Sequence, residues 1–322
     1  MKRTRGLLIV AILFTLSCNK SVSHEDSLPD EQISQPTVRQ CASYDVLQQQ
    51  LQEDPSLRQR MDAIEEFTRR FEADPNSFRL VHGVMEVPVI VNVLYRTASE
   101  NISDEQIQSQ IDVLNEDFSA KNSDYNFTST YNSVKSGNCN IRFVLQNIVR
   151  RETSRRSWAP NDLMKKTSKG GIDPTNPTTT LNMWSCTLGQ NLLGYAQFPG
   201  GDPATDGVVI LNTAFGRVGT AAVPYDKGRT ATHEVGHYFN LRHIWGDATC
   251  GNDLVGDTPL HNTYNFGCPP AGHLSTCTGT PVEMTMNYMD YTDDACMYMF
   301  SVGQKTRMQA TYIEGGPRAS LR

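Results

Sequence analysis

His233 and His237 stand four residues apart with Glu234 beside the first. On a helix that spacing puts both imidazoles on one face, where they can grip one ion, and sets a carboxylate next to it. His243 follows six residues after His237. A continuous helix would carry it to the wrong angle and height, so the chain has to turn near Asn240. Asn is one of the few non-glycine residues that enters the left-handed region at modest cost. With 7 histidines among 322 residues, this spacing is a poor accident. A closed structural zinc site needs a fourth protein ligand, whereas three histidines leave a place for water. Zinc lowers the pKa of a water it holds from about 16 to about 7. Glu234 can take that water's proton during attack on a carbonyl and return it to a leaving amine. The chemistry expected is peptide-bond hydrolysis.

The chain around this motif is ordinary in composition, with 38% hydrophobic residues, 20% charged residues and a net charge of −6. These values argue against a membrane-spanning bundle, a collagen-like repeat and full disorder. No basic field exists to attract nucleic acid. Lys2, Arg3 and Arg5 precede an apolar run at 7–16 that is too short to span a bilayer and ends at Ser17-Cys18. This is the pattern of a secretory signal peptide over 1–18. Cys18 stands where a lipidated cysteine would, so lipid attachment at the cell surface and plain cleavage of a secreted protein both remain open. A membrane partner is expected only through such a lipid.

Residues 19–40 read as a polar linker, followed by a helix at 44–52 and a second from Pro55, with Leu57, Met61, Ile64, Phe67 and Phe71 on one side. Together, 19–78 form a small helical unit ahead of a larger domain at 79–322. In that domain 84–95 reads as a strand whose Pro88 argues for an edge position or a bulge. Further strands are expected at 141–146, 181–186, 195–198 and 207–211. Capping boxes at Ser103–Gln106 and Ser301–Gln304 open helices, and 230–240 is the helix of the metal motif. The mixture lacks regular strand–helix alternation, which gives an α+β class.

Export makes paired cysteines the expectation. Of the 8, Cys18 leaves or carries lipid and Cys41 stands alone. Cys250, Cys268, Cys277 and Cys296 crowd into one stretch, which suggests a loop-rich subdomain held by two bridges, with three pairings open.

The long histidine motif resembles the zinc signature of the metzincin metallopeptidases, with Asn240 where glycine is usual. Met286-Asn287-Tyr288-Met289-Asp290-Tyr291 looks like their Met-turn. The wording GYAQFP (194–199), DGVVI (206–210), GRTATHEVGHYFNLRHIWGD (228–247) and NYMDYTDDACM (287–297) resembles the pappalysin family within them. The resemblance implies a twisted mixed sheet with backing and active-site helices, and upper and lower subdomains around a zinc cleft. It implies His233, His237 and His243 as zinc ligands, Glu234 as general base and acid, Tyr291 as oxyanion donor and Met289 as the methionine under the zinc. The strand around 194–198 would pair antiparallel with an extended substrate. Asp294 would line the pocket for the residue after the scissile bond and select Arg or Lys by charge. The implied disulfides are Cys250–Cys277 and Cys268–Cys296, and Cys139 with Cys186 is the residual pair. The segment with Asp253, Val255, Asp257 and Thr258 resembles the family's calcium loop, whose oxygen set suits Ca²⁺.

A lone Cys41 in a helical prosegment suggests a cysteine switch, with its thiolate in the water position. The prosegment would then be the enzyme's own inhibitor, and Phe78–Arg79 a self-cleavable bond. The expected function is that of a secreted zinc endopeptidase made as a zymogen and cutting before Arg or Lys. The alternative is a non-catalytic zinc-containing surface lipoprotein that binds polypeptides. A binder would need neither Glu234 nor Tyr291.

Overall fold

The structure is a computed structural model that describes residues 35–75 and 83–321. The expected signal peptide, Cys18 and the Phe78–Arg79 bond lie outside the described residues. The sheet is built from β1 (Met85–Tyr95), β2 (Ile141–Glu152), β3 (Leu181–Cys186), β4 (Gly194–Ala196) and β5 (Val208–Leu211), in the order β2-β1-β3-β5-β4. The first four in that order run parallel, and β4 closes the edge antiparallel to β5. Strand residues alternate faces. Val87, Val89, Val91, Val93, Met183 and Ile210 face one core with α3 (Asp104–Phe118) and α4 (Arg229–Tyr238). Trp184, Cys186, Tyr195 and Val209 face the other.

Pro88 does not put β1 at an edge, because the strand lies between β2 and β3. Pairing with β3 starts one residue later, and the register against β2 shifts between Val89 and Ile90, so the missing N–H sits beside an irregularity. The α+β expectation holds. After β5 the described residues form helices and loops, ending in α5 (Val302–Tyr312). Ser301 and Gln304 make a reciprocal capping box at its start. At α3 only half of the expected box forms. Ser103 accepts from the Gln106 backbone, but the Gln106 amide donates to the Asn212 and Phe215 carbonyls instead. A long-range demand has taken that side chain from its local one.

Between α4 and α5 the chain is loop-rich and is held by Cys250–Cys277 and Cys268–Cys296. Cys139 and Cys186 are unpaired, contrary to the sequence expectation. They belong to opposite faces of the sheet, and each packs as a small apolar group. Near the C-terminus, Arg318 donates to the Tyr238 carbonyl at 2.6 Å and pairs both ways with Asp206, tying the chain end to α4 and the β5 approach.

The N-terminal helices α1 (Ser43–Glu53) and α2 (Ser56–Ala73) pack on the larger unit. Leu47, Leu57 and Met61 cluster on Phe198, and Phe67 and Phe71 on Ala310 and Ile313. The strip of apolar residues seen in the sequence is therefore buried against the domain that follows it.

Candidate metal centre

Helix α4 carries His233 and His237 on one face, as their spacing requires. Asn240 then takes φ 70°. The turn is closed by Asn240 N–H donating to His237 O at 2.9 Å and Leu241 N–H donating to Gly236 O at 2.9 Å. It brings His243 back, so that its Nε2 lies 3.1 Å from that of His237, which is 3.2 Å from that of His233.

Each ring is held through its other nitrogen. His233 Nδ1 donates to Tyr288 O at 2.7 Å, His237 Nδ1 to Leu241 O at 2.7 Å and His243 Nδ1 to Asp247 Oδ1 at 2.5 Å. The partners are acceptors only, so each Nδ1 bears the proton and three Nε2 lone pairs face one another. Burial, then the neighbouring rings, hold His233 and His237 well below their ordinary pKa. Three neutral nitrogens this close repel unless a cation lies between them, and an all-nitrogen set with one corner left is a zinc set. Asp247 was not singled out in the sequence. Its position four residues after His243 was the available signal.

Cys41 Sγ completes the group, and the four ligand atoms lie within 4.8 Å of one another. Among the described residues no other set of His, Cys, Asp and Glu side chains converges in this way. Glu234 Oε2 accepts from Cys41 Sγ at 3.2 Å and Ser43 Oγ at 2.9 Å. Burial, against the pull of those donors, pushes its carboxyl up to about 8. The Tyr291 hydroxyl accepts from Cys41 N at 3.1 Å and donates to Cys41 O at 3.0 Å. Met289 is buried under α4, and Gly236 is needed there because a Cβ on it would stand 2.5 Å from Met289 Sδ. Gly194 has a similar reason, since a Cβ would meet Glu234 Oε1 at 2.9 Å.

The strand through Cys41 runs parallel to β4. Leu193 N–H donates to Gln40 O at 2.9 Å, and Ala42 N–H donates to Gly194 O at 3.1 Å. Arg39 and Cys41, two apart on it, enter the cleft, and Ser43 follows at the start of α1. Arg39 was missed in the sequence, although its spacing from Cys41 pointed to it. Its Nε donates to Thr292 O at 3.1 Å, one terminal nitrogen to Thr230 Oγ1 at 3.1 Å and the other to Asp294 Oδ1 at 2.5 Å. The guanidinium also lies 4.9 Å from the centre of the Tyr225 ring. Asp294 is fully buried, and its second oxygen accepts from the Lys227 and Arg229 backbones, so it is no solvated turn.

The loop of Asp253, Val255, Asp257 and Thr258 does not join this group. Thr258 Oγ1 lies 2.9 Å from the Asp253 carboxylate and 3.0 Å from Val255 O, with its one proton to share between them, which gathers oxygens from three residues. Asp257 instead accepts from Ser301 Oγ at 2.6 Å and Gly303 N at 2.8 Å at the start of α5.

Comparison with known proteins agrees with this geometry. The profile of the peptidase family described as pregnancy-associated plasma protein-A matches residues 187–312. An extracellular metalloprotease of Verticillium alfalfae is 31% identical over 246 residues, covering 70% of this chain and 78% of its own. Extracellular metalloprotease 1 of Coccidioides posadasii is 31% identical over 253 residues, covering 74% and 81%. Among solved structures, a promirolysin point mutant from Tannerella forsythia superposes with a TM-score of 0.79 at 42% identity, covering 88% of this chain and 97% of that one. Mature mirolysin from the same organism, with a cleaved peptide, gives 0.71 at 45%, covering 74% and 96%.

Proposed function

The chain belongs to the pappalysin family of zinc metalloendopeptidases, and from that premise we propose that it is exported as a latent zymogen and cuts polypeptides before arginine and lysine. The observation that carries this reading is a double occupancy by one strand. Cys41 fills the free corner of three histidines while Arg39, two residues earlier, pairs with buried Asp294. Arg39 is a stand-in for the side chain that follows a scissile bond.

Zinc held by His233, His237 and His243 would polarise the scissile carbonyl and acidify the attacking water. Glu234 accepts the water's proton and delivers it to the leaving amine. The Tyr291 hydroxyl, already a donor to the Cys41 carbonyl, donates to the substrate carbonyl oxygen as negative charge develops on it. The edge of β4 takes the extended substrate antiparallel, and Asp294 receives its cation.

The prosegment lies along β4 in the opposite sense, so its own peptide groups pass Glu234 reversed. In the bare pocket, burial and then Glu234 push the Cys41 thiol well above its ordinary range. Coordination is what would hold it as thiolate. The proposed division is a signal at 1–18, linker and prosegment at 19–78 and the catalytic domain at 79–322, with activation at Phe78–Arg79. The curated relatives named above are called extracellular, which supports export. Cys18 then either leaves with the signal or bears lipid.

The test is to follow the purified zymogen by N-terminal sequencing and peptide-library cleavage, with and without chelator. Activity that appears with a new terminus at Arg79, cuts before Arg and is lost with chelator is expected. A terminus far from 79, or unchanged cleavage in chelator, refutes the reading. Cys41→Ala is expected to shorten the activation lag at least about tenfold, the equivalent of 1.4 kcal/mol of lost restraint.

The Asp253 loop is the proposed calcium site, with Val255 O and Thr258 Oγ1 beside the carboxylate and Asp257 bracing α5. Burial pushes the Asp253 carboxyl up to about 6, a cost that a bound cation would remove. Adding Ca²⁺ to chelated, zinc-restored protein should raise Tm by several degrees, about 2–4 °C per kcal/mol for a chain of this size. Asp253→Asn should abolish that rise. An equal rise in the variant refutes the site.

A further inference from the structure

Helix α2 seats one carboxylate on the domain that outlives it. Glu65 Oε1 pairs with the Arg307 guanidinium, accepts from the Asn240 side-chain amide at 3.3 Å and lies 3.9 Å from the Arg242 guanidinium. Arg307 is 1% exposed, and its Nε donates to Asn240 O at 2.9 Å, on the turn that delivers His243. Glu72, on the same helix, adds a second negative charge toward Arg307. Removal of the prosegment takes both acids away. Asp253 also lies near Arg307, but its carboxylate is engaged by Thr258 and the Val255 N–H. Beside Glu65 lies a cavity of about 370 Å³, lined also by Asn252, Leu254, Gly256 and Arg307. With α2 gone, two guanidiniums and an amide shaped around a carboxylate would be left without it.

Resting on the zymogen reading above, we propose that this seat is a carboxylate-binding exosite of the mature enzyme, which takes an Asp or Glu side chain of the substrate on the N-terminal side of the scissile bond. The direction follows from the strand polarity. A substrate antiparallel to β4, with its cation on Asp294, has its earlier residues beside Ala196 and then Phe198. The Phe198 ring centre is 5.3 Å from that of His237. Met61 packs on Phe198, and Glu65 stands one helical turn further along α2, about 6 Å. An extended substrate covers that distance in about two residues. The acidic residue therefore falls roughly three to six places before the cut.

The experiment uses mature enzyme and fluorogenic peptides with Arg after the cut, carrying Glu or Gln in turn at the second to sixth place before it. At one place, or two adjacent ones, Glu is expected to lower KM about fivefold relative to Gln with kcat unchanged. The advantage should shrink in Arg242→Gln, which removes one of the two guanidiniums, and fade in high salt. Arg307 is left intact because it also braces the Asn240 turn. If peptides are cut before Arg but no place favours Glu by more than about twofold, the exosite is overturned and the protease reading stands. A Glu advantage that is undiminished in Arg242→Gln and also unchanged in high salt overturns the assignment too. If no peptide is cut before Arg, both readings fall.

Discussion

Replacing Glu234 by alanine is expected to lower kcat/KM of the activated enzyme by about 10²- to 10⁴-fold while zinc stays bound, because the lost function is proton transfer and not metal ligation. Glu234 contributes no atom to the histidine cluster. In the latent chain, Oε2 is engaged by Cys41 and Ser43, both of the prosegment. On the proposed activation both donors would leave and open Oε2 to water. The burial that pushes the carboxyl up to about 8 is then relieved. Its pKa should then fall, which would populate the anion needed as a base at neutral pH. Metal content by atomic absorption and kcat/KM on an Arg peptide separate the two functions. A variant that keeps full rate removes Glu234 from the mechanism, and one that loses zinc shows that its role is structural.

Asp294→Ala should cost about 10²-fold or more in kcat/KM for peptides with Arg after the cut and far less for peptides with an apolar residue there. Truncating one partner of a buried, hydrogen-bonded charge pair costs about 2–5 kcal/mol. If Asp294 lines the proposed pocket, the Arg39 contacts are those a substrate arginine would make there. A backbone carbonyl, a hydroxyl and a carboxylate accept from three different nitrogens, and the Tyr225 ring lies alongside. A lysine ammonium cannot span that fork, so Arg should exceed Lys by about tenfold or more in the native enzyme. Asp294 also braces the Lys227 and Arg229 backbones, so a melting curve must accompany the library profile. An unchanged Arg preference in a folded variant removes Asp294 from the pocket.

How much of this was legible differs from residue to residue, for physical reasons. The imidazole spacing, the Ser301–Gln304 box and the left-handed Asn240 are local. Each is decided within a few residues by helix geometry or by a backbone basin. The pairing of the two disulfides between α4 and α5 came through family resemblance, not through spacing. Gln106 looked like a capping residue and is not, because loop carbonyls from 212 and 215 compete for it. Cys139 and Cys186 looked like a pair by elimination, which ignores that a sheet has two faces.

By itself, the sequence determined the three imidazoles that suit a metal, the carboxylate beside them and the turn that supplies the third ring, since these depend on periodicity and side-chain chemistry over about ten residues. The tertiary structure alone decided what the prosegment does with Arg39 and Glu65, which ring nitrogens Tyr288 and Asp247 orient, and how Asp294 is buried. Those contacts join residues far apart in the chain. A pair far apart in sequence leaves no local pattern, because only packing of the whole sheet and its helices brings its members within hydrogen-bond reach.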